Sequence, residues 1–364
     1  MVAHEPASSN GSTVLVTGFP IYVARRLARE LVAGGDRVLL LHREKFARDA
    51  EAFAAEVNAA AAEAGSAGLV EPLWGDILDI DLGVSGAEVR RLQAEIEEIY
   101  HVAAVQYLAI DSAKMRNVNV EGLRELLELA LGMRKLRRIC HWSTAFVAGD
   151  RSGLAYEHEL LVGQHLRNDY EASKAEAERL ARAAMTKLPI TIVRPAIIVG
   201  DSVSGEVQRF DGPYILMNAI VNAPANTAVP LPAQGRYPLH IVPADYVVRA
   251  SIALTRHSDA VSGTFHLVDR DPMSAFDFFC AVADAAGRPR PSVFLPHGVS
   301  RALLGLPGVR SWVPHERSFV EWFDTDVRFD DRNAQALLDP LGIVAPAVRT
   351  YVDVLVRYLR EYSR

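Results

Sequence analysis

Cysteine is scarce in this chain: Cys140 and Cys280 are the two among 364 residues. They cannot form a disulfide framework, and no Cys-x-x-Cys pair exists to hold a metal. A reducing, cytoplasmic setting is therefore expected. No uninterrupted apolar run approaches the roughly 18 residues of a membrane-spanning helix. The first dozen residues lack the basic and apolar regions of a signal peptide. With a net charge of −6, the chain has no general basic surface for nucleic acid. The Gly-x-Ser-x-Gly elbow of serine hydrolases is missing. His158-Glu159 is followed by Val162, where a zinc-binding helix needs a second histidine, so no metal site is expected. Internal repeats are absent. Lysine is rare too, 5 against 34 arginines, which reads as compositional drift.

What is present is ordinary for a soluble globular protein: 50% apolar and 23% charged residues. The length allows two domains or one elaborated domain. β-branched runs at 13–17, 37–41, 69–74, 96–103, 138–142 and 189–194 predict strands. They alternate with helical patterns at 22–33, 46–64, 122–132 and 170–187. This alternation predicts an α/β fold with a doubly wound parallel sheet, which binds ligands at the carboxyl ends of its strands. After Gly200 the pattern changes. Residues 201–237 are rich in Gly, Pro and Asn, 238–269 return to strand–helix–strand, and 346–362 form an amphipathic helix. The expected division is a dinucleotide-binding domain over 13–205, with 238–270 returning to it. A substrate-binding region over 206–237 and 271–364 completes the chain. Phe210, Tyr214, Trp312, Phe319, Trp322 and Phe323 would give that region an apolar pocket. Their plainer reading is packing between the small region and the sheet.

Three places carry candidate chemistry. The first is the turn Thr17-Gly18-Phe19-Pro20-Ile21-Tyr22 between the first strand and first helix, where a glycine turn lets a helix N-terminus approach a pyrophosphate. A complete fingerprint would have glycine at the positions held by Ile21 and Ala24. Ala24 is a mild change. Ile21 is expected to resist the positive φ that glycine allows and to crowd a phosphate. The second place is the ends of the next strands. Arg43 suits a 2′-phosphate, hence NADP(H), although a one-residue shift would put Glu44 there. Asp76, followed by Ile77, can reach an adenine amino group or simply cap a turn. His101 reads as structural, with small Ala103 and Ala104 beside it where a dinucleotide must pass. Asn119 is suited to hold a water or a backbone carbonyl.

The third place is Tyr170 and Lys174, four residues apart and so on one helix face. A lysine cation there is expected to lower the phenol's pKa toward neutrality, as acid–base exchange with a carbonyl or alcohol oxygen needs. Ser143-Thr144, at the end of the fifth strand, offers a hydroxyl that can donate to the same oxygen. Spacing does not decide which of the two does so.

Jointly these runs resemble a family. Thr17-Gly18-Phe19-Pro20, Gly75-Asp76, His101-Val102-Ala103-Ala104, Asn119-Val120-Glu121-Gly122, Ser143-Thr144 through Gly149, Tyr170-x-x-x-Lys174 and Arg194-Pro195 through Gly200-Asp201 are similar to the extended short-chain dehydrogenases/reductases. The nearest branch is that of fatty acyl-CoA reductases and thioester-reductase domains. The likeness covers about residues 13–270. It implies that NADPH delivers hydride to a carbonyl carbon of an aldehyde, ketone or acyl thioester, a small-molecule substrate. It further implies that Tyr170 protonates the oxygen, Thr144 (with Ser143 as neighbour) hydrogen-bonds it, and Lys174 tunes Tyr170 and holds the nicotinamide ribose. Asn119 would support a proton relay through Lys174, and Pro195 and Ile197 would border the cofactor. A homodimer is common in such families. A dinucleotide-binding scaffold without turnover, motivated by Ile21, and an epimerase or dehydratase of the same fold are the alternative readings.

Overall fold

Residues 11–106, 111–232, 234–295 and 325–363 are described by the computed structural model. Strand periodicity sorts its core. Along β1 (Thr13–Thr17), Val14 and Val16 join one buried cluster and Leu15 the other, because successive side chains leave a strand on opposite faces. The same division runs through β2 (Arg37–His42), β3 (Leu69–Trp74), β4 (Glu98–His101), β5 (Arg138–Trp142), and β7 (Ile190–Pro195). β6 (Gly153–Ala155) lies outside this sheet, and β11 (Thr264–Leu267) completes it. The seven strands are ordered β11-β7-β5-β4-β1-β2-β3, and every pairing is parallel.

Helices cover both faces. α1 (Tyr22–Ala33), α2 (Ala47–Glu63) and α8 (Ala244–Arg256) pack on the face of Val14, through residues such as Leu27, Phe53 and Val247. α3 (Gly86–Glu95), α5 (Gly122–Ala130) and α6 (Asp169–Ala184) pack on the face of Leu15, through Leu92, Leu123 and Ala177. Short α4 (Ser112–Arg116) runs into α5 through a π-helical turn, Asn117–Glu121. The fold is thus the doubly wound parallel sheet that the alternation predicts. Strand bounds agree closely, although β4 is shorter than the 96–103 run. The chain crosses from β3 over β2 and β1 to β4, so the order reverses between β1 and β4. A ligand crevice opens at such a reversal.

A third apolar cluster stands beyond the sheet's carboxyl end. It joins Val199 of β8 (Ile197–Val199) to α7 (Pro213–Asn222), β9 (Leu231–Pro232), β10 (Ile241–Pro243), α9 (Ala275–Ala286) and the last helix, Val352–Tyr362. β8 pairs with β10, β9 with β12 (Phe294–Leu295), and β6 with β13 (Val327–Phe329), all in parallel. The Gly-, Pro- and Asn-rich 201–237 stretch therefore contains a helix. Pro213 starts it, where a missing N–H costs nothing, and Tyr214, Met217 and Ile220 bury one side. Tyr214 is a packing residue whose hydroxyl accepts from the Gly200 N–H at 2.8 Å. Phe210 packs beside it at a tilt, 5.5 Å between centroids. Trp312, Phe319, Trp322 and Phe323 lie outside the described residues. No helix among the described residues is long and apolar enough to cross a membrane.

Glu157 ties these parts together. Its fully buried carboxylate accepts the backbone N–H of His266 in β11 at 3.0 Å. It also accepts those of Asn333 and Ala334, at 2.7 and 3.1 Å, in the first turn of the short helix Arg332–Leu338. Burial raises its pKa to about 7 against these three donors. The folded state therefore keeps a proton that the unfolded chain releases near 4.5. The stability this gives is fully present below that value and is lost as pH rises through 7. Comparing urea unfolding of wild type and Glu157→Gln at pH 5 and pH 8 checks this. The variant should gain relative to wild type at the higher pH by up to about 3 kcal/mol. A difference that does not change with pH contradicts the assignment.

Candidate active site

At the end of β1 the backbone turns through Gly18 with φ of +104°. A Cβ there would lie 2.9 Å from the Ala103 nitrogen, so both the dihedral and the close approach require glycine. Thr17 fastens the same junction. Its hydroxyl oxygen accepts from the Ala103 N–H at 3.3 Å and pairs with His101 Nδ1 at 3.0 Å. Buried His101 stacks on His141, 5.7 Å between ring centroids. Burial first, and the Lys174 cation second, push His101 down to about 3 and His141 in the same direction.

The peptide Phe19–Pro20 is cis. Ile21 then caps α1 with φ −57° and ψ 138°. Ile21 thus avoids the positive φ that glycine allows, as expected of a β-branched residue, and an extended conformation precedes the helix. The first turn of α1 has no side-chain cap and no acidic residue.

Two cavities of about 320 Å³ each meet at this turn. Gly18, Phe19, Pro20 and Ile21 form one wall of the outer cavity, and Arg43, Asp76, Ile77, Ala103 and Ala104 border the rest. Glu44 is not among its lining residues. Arg43 lies over the Phe46 ring, 5.6 Å from its centroid. Asp76 accepts from the Leu78 N–H at 3.1 Å, an Asx turn. The inner cavity is bordered by Ile21, Tyr22 and Ala104 at one side. Ser143, Thr144, Tyr170 and Lys174 border another, and Pro195 and Ile197 a third. Thr17, His101 and Asn119 line neither cavity and stand behind the walls.

Tyr170 opens α6 beneath an Asn168 cap, whose side-chain oxygen accepts from the Glu171 N–H at 2.9 Å. Its side chain lines the inner cavity together with the Thr144 hydroxyl. Burial pushes Tyr170 up to about 12, with that hydroxyl opposing. The expected lowering by Lys174 is not found. Lys174, 3% exposed, spends its ammonium on the Trp142 carbonyl. Its own pKa falls to about 8 through burial, against the pull of Glu178. In this arrangement Tyr170 is a neutral acid at pH 7 and Lys174 is largely a cation.

The two hydroxyls after β5 part ways. Ser143 Oγ donates to Glu178 Oε2 at 2.7 Å, while Thr144 lies by Tyr170 and accepts from the Phe146 N–H at 3.3 Å. Asn119, in the π-helical turn, clasps Val105 through both backbone groups, at 2.7 and 3.0 Å. It also donates to Ser173 Oγ at 2.9 Å, and Ser173 donates to the Tyr170 carbonyl at 2.9 Å. A backbone group is thus held, as the sequence suggests, with no direct bond to Lys174.

Sequence reasoning passed over Gln208 and Arg209, which border both cavities; Gln208 also donates to the Pro20 carbonyl at 3.2 Å. It passed over Glu178 as well, whose place four residues after Lys174 is a signal available in the chain.

The family model described as "Male sterility protein", an NAD-binding domain, matches residues 16–251. The chain is similar to a component of the linear gramicidin synthase of Brevibacillus parabrevis, 25% identical over 222 residues. That match covers 58% of this chain and 4% of the relative. It is similar to the fatty acyl-CoA reductase wat of Drosophila melanogaster, 25% identical over 200 residues, covering 47% of this chain and 38% of that protein. The chain therefore matches a minor part of the length of these relatives. Among solved structures, the terminal R domain of the myxalamid PKS-NRPS biosynthetic pathway superposes with a TM-score of 0.80 at 25% identity. It covers 98% of this chain and 92% of that one. With the matched family model spanning well over half of its residues, the chain belongs to the male sterility family of NAD(P)-binding domains, of the extended short-chain dehydrogenase/reductase type and homologous to fatty acyl-CoA reductases and thioester-reductase domains.

Proposed function

We propose that the chain is an NADP(H)-dependent reductase of a carbonyl group, in an aldehyde, a ketone or an acyl thioester, with Thr144, Tyr170 and Lys174 as its acid–base set. The observation that carries this reading is that Thr144, Tyr170 and Lys174 line one cavity, which also meets the uncapped start of α1.

The residues present fit a dinucleotide. A helix N-terminus with free N–H groups and no carboxylate in its first turn favours a pyrophosphate. Gly18, Phe19, Pro20, Ile21 and Tyr22 would hold that group, with Thr17 and His101 keeping the turn in place. Arg43 would take the 2′-phosphate. Asp76 and Ile77 would meet the adenine, Ala103 and Ala104 would leave the passage clear, and Lys174, Pro195 and Ile197 would flank the nicotinamide end. When bound, NADPH supplies the hydride for the carbonyl carbon.

The chain's own part is proton and charge management. Tyr170 gives its phenolic proton to the carbonyl oxygen. Its raised pKa keeps that proton available at neutral pH and suits the reductive direction. Thr144 donates a hydrogen bond to the same oxygen as negative charge develops there. Lys174, cationic at pH 7, borders the same cavity and would hold the nicotinamide ribose. Asn119 and Ser173 steady the α6 turn that carries Tyr170. Residues 206–237 and 271–364 form the substrate-binding region in this reading, with Phe146, Val199 and Val207 already giving the inner cavity apolar walls.

Tyr170→Phe should lower NADPH oxidation with an aldehyde substrate by about 10²–10⁴-fold, while the melting shift induced by NADPH persists. Undiminished turnover in this variant refutes the assignment. Arg43→Ala should weaken NADPH binding by about tenfold, the equivalent of ~1.4 kcal/mol, and leave NADH binding unchanged. Titration of intrinsic tryptophan fluorescence with both nucleotides measures this, and an equal loss for both removes Arg43 as the discriminating residue.

A further inference from the structure

Along α6, Tyr170, Lys174 and Glu178 are four residues apart, so successive turns carry them down one face. The Glu178 carboxylate is fully buried and is met from three elements. From β7, Arg194 donates to it through Nε at 2.9 Å and through a terminal nitrogen at 2.6 Å. Arg182, one turn further along α6, donates at 2.9 Å. Ser143, at the end of β5, donates at 2.7 Å. Arg194 is itself buried. It also donates to the Glu159 carbonyl at 2.6 Å and meets His266 Nε2 at 3.1 Å.

We propose that Glu178 is a positioning residue with two effects: it anchors the Ser143–Thr144 turn so that Thr144 faces Tyr170, and it holds Lys174 in its protonated form. The first effect rests on the reductase reading; the second does not need turnover to be observed.

The anchoring follows from hydrogen-bond accounting. Ser143 gives its proton to Glu178, so the hydroxyl left to serve the cavity is that of the next residue. The charge effect follows from what surrounds Lys174. From β4 and β5 it faces His101 and His141, both driven neutral by burial. On its own helix it has Tyr170, held neutral, and Glu171, which is paired with Arg167 at 3.1 Å. Arg194 of β7 and Arg182 stand against Glu178. Burial disfavours the ammonium, and Glu178 is the group that counters it.

The test uses the whole chain labelled with ¹³C at lysine Cε. Five lysines give few resonances, and the Lys174 signal is the one lost in Lys174→Arg. In wild type it should titrate near 8. In Glu178→Gln the midpoint should fall by about one unit or more. In Glu178→Gln/Arg194→Gln, which also removes the opposing cation, it should return toward the wild-type value. A Lys174 midpoint unmoved in both overturns the charge assignment. If the single variant does not fold, Arg182→Gln serves, because losing that half-buried cation should raise the midpoint; no rise overturns the same assignment. For the anchoring, Ser143→Ala should lower kcat about tenfold with KM and the Lys174 titration unchanged, and wild-type kcat overturns it. A wild-type protein inactive on every carbonyl substrate with NADPH removes the reductase reading but leaves the lysine titration as an independent result.

Discussion

Two opposite charges, Glu178 and Arg194, are buried at 0% and 2% side-chain exposure where α6, β5 and β7 converge. Ions removed from water cost several kcal/mol each unless geometry and hydrogen bonds compensate. Here compensation is thorough. Arg194 is bound to both carboxylate oxygens, to a backbone carbonyl and to His266, while Glu178 also takes Ser143 and Arg182. An apolar pair could fill that space, yet it would not orient a serine hydroxyl or place an anion one helical turn below Lys174. The ion pair therefore connects the stability of the sheet's carboxyl end to the electrostatics of the site.

The second constraint is the strand reversal between β1 and β4. Gly18 and Thr17 bring the β1 turn directly onto Ala103, which opens the crevice at that point and aims the start of α1 into it. Ile21 does not close the crevice. It borders both cavities with an extended backbone, and the first helical turn beside it carries neither a side-chain cap nor a carboxylate. Gln208, reaching the Pro20 carbonyl, joins the loop after β8 to this turn.

Burial acts on Tyr170 and Lys174 in opposite senses, because it disfavours whichever form carries charge. The phenol is pushed to about 12 and the ammonium down to about 8. The result is a neutral phenol and a largely cationic ammonium in the lining of one cavity, the combination on which the proposed reductase reading draws.

Much of this was legible along the chain. Alternation of period two in β1, helical spacing in α1 and α6, the glycine after β1 and the Tyr170–Lys174 spacing are local properties, and local sterics and hydrogen bonding determine them. Small residues at Ala103 and Ala104 and the basic Arg43 could likewise be assigned to strand ends. What the tertiary structure alone decided involves groups far apart in sequence. Which of the Ser143 and Thr144 hydroxyls is engaged away from Tyr170 involves Glu178, which takes the Ser143 proton from 35 residues along the chain. The backbone conformation at Ile21 depends on how its turn seats against β4, and the helix Pro213–Asn222 depends on a third apolar cluster that gathers segments from residues 199 to 359. The acidity of Tyr170 depends on burial, which no spacing of residues reveals. Local pattern specified the elements and the Tyr170–Lys174 spacing, whereas desolvation and long-range hydrogen bonds specified the protonation states and orientations of the side chains around that pair.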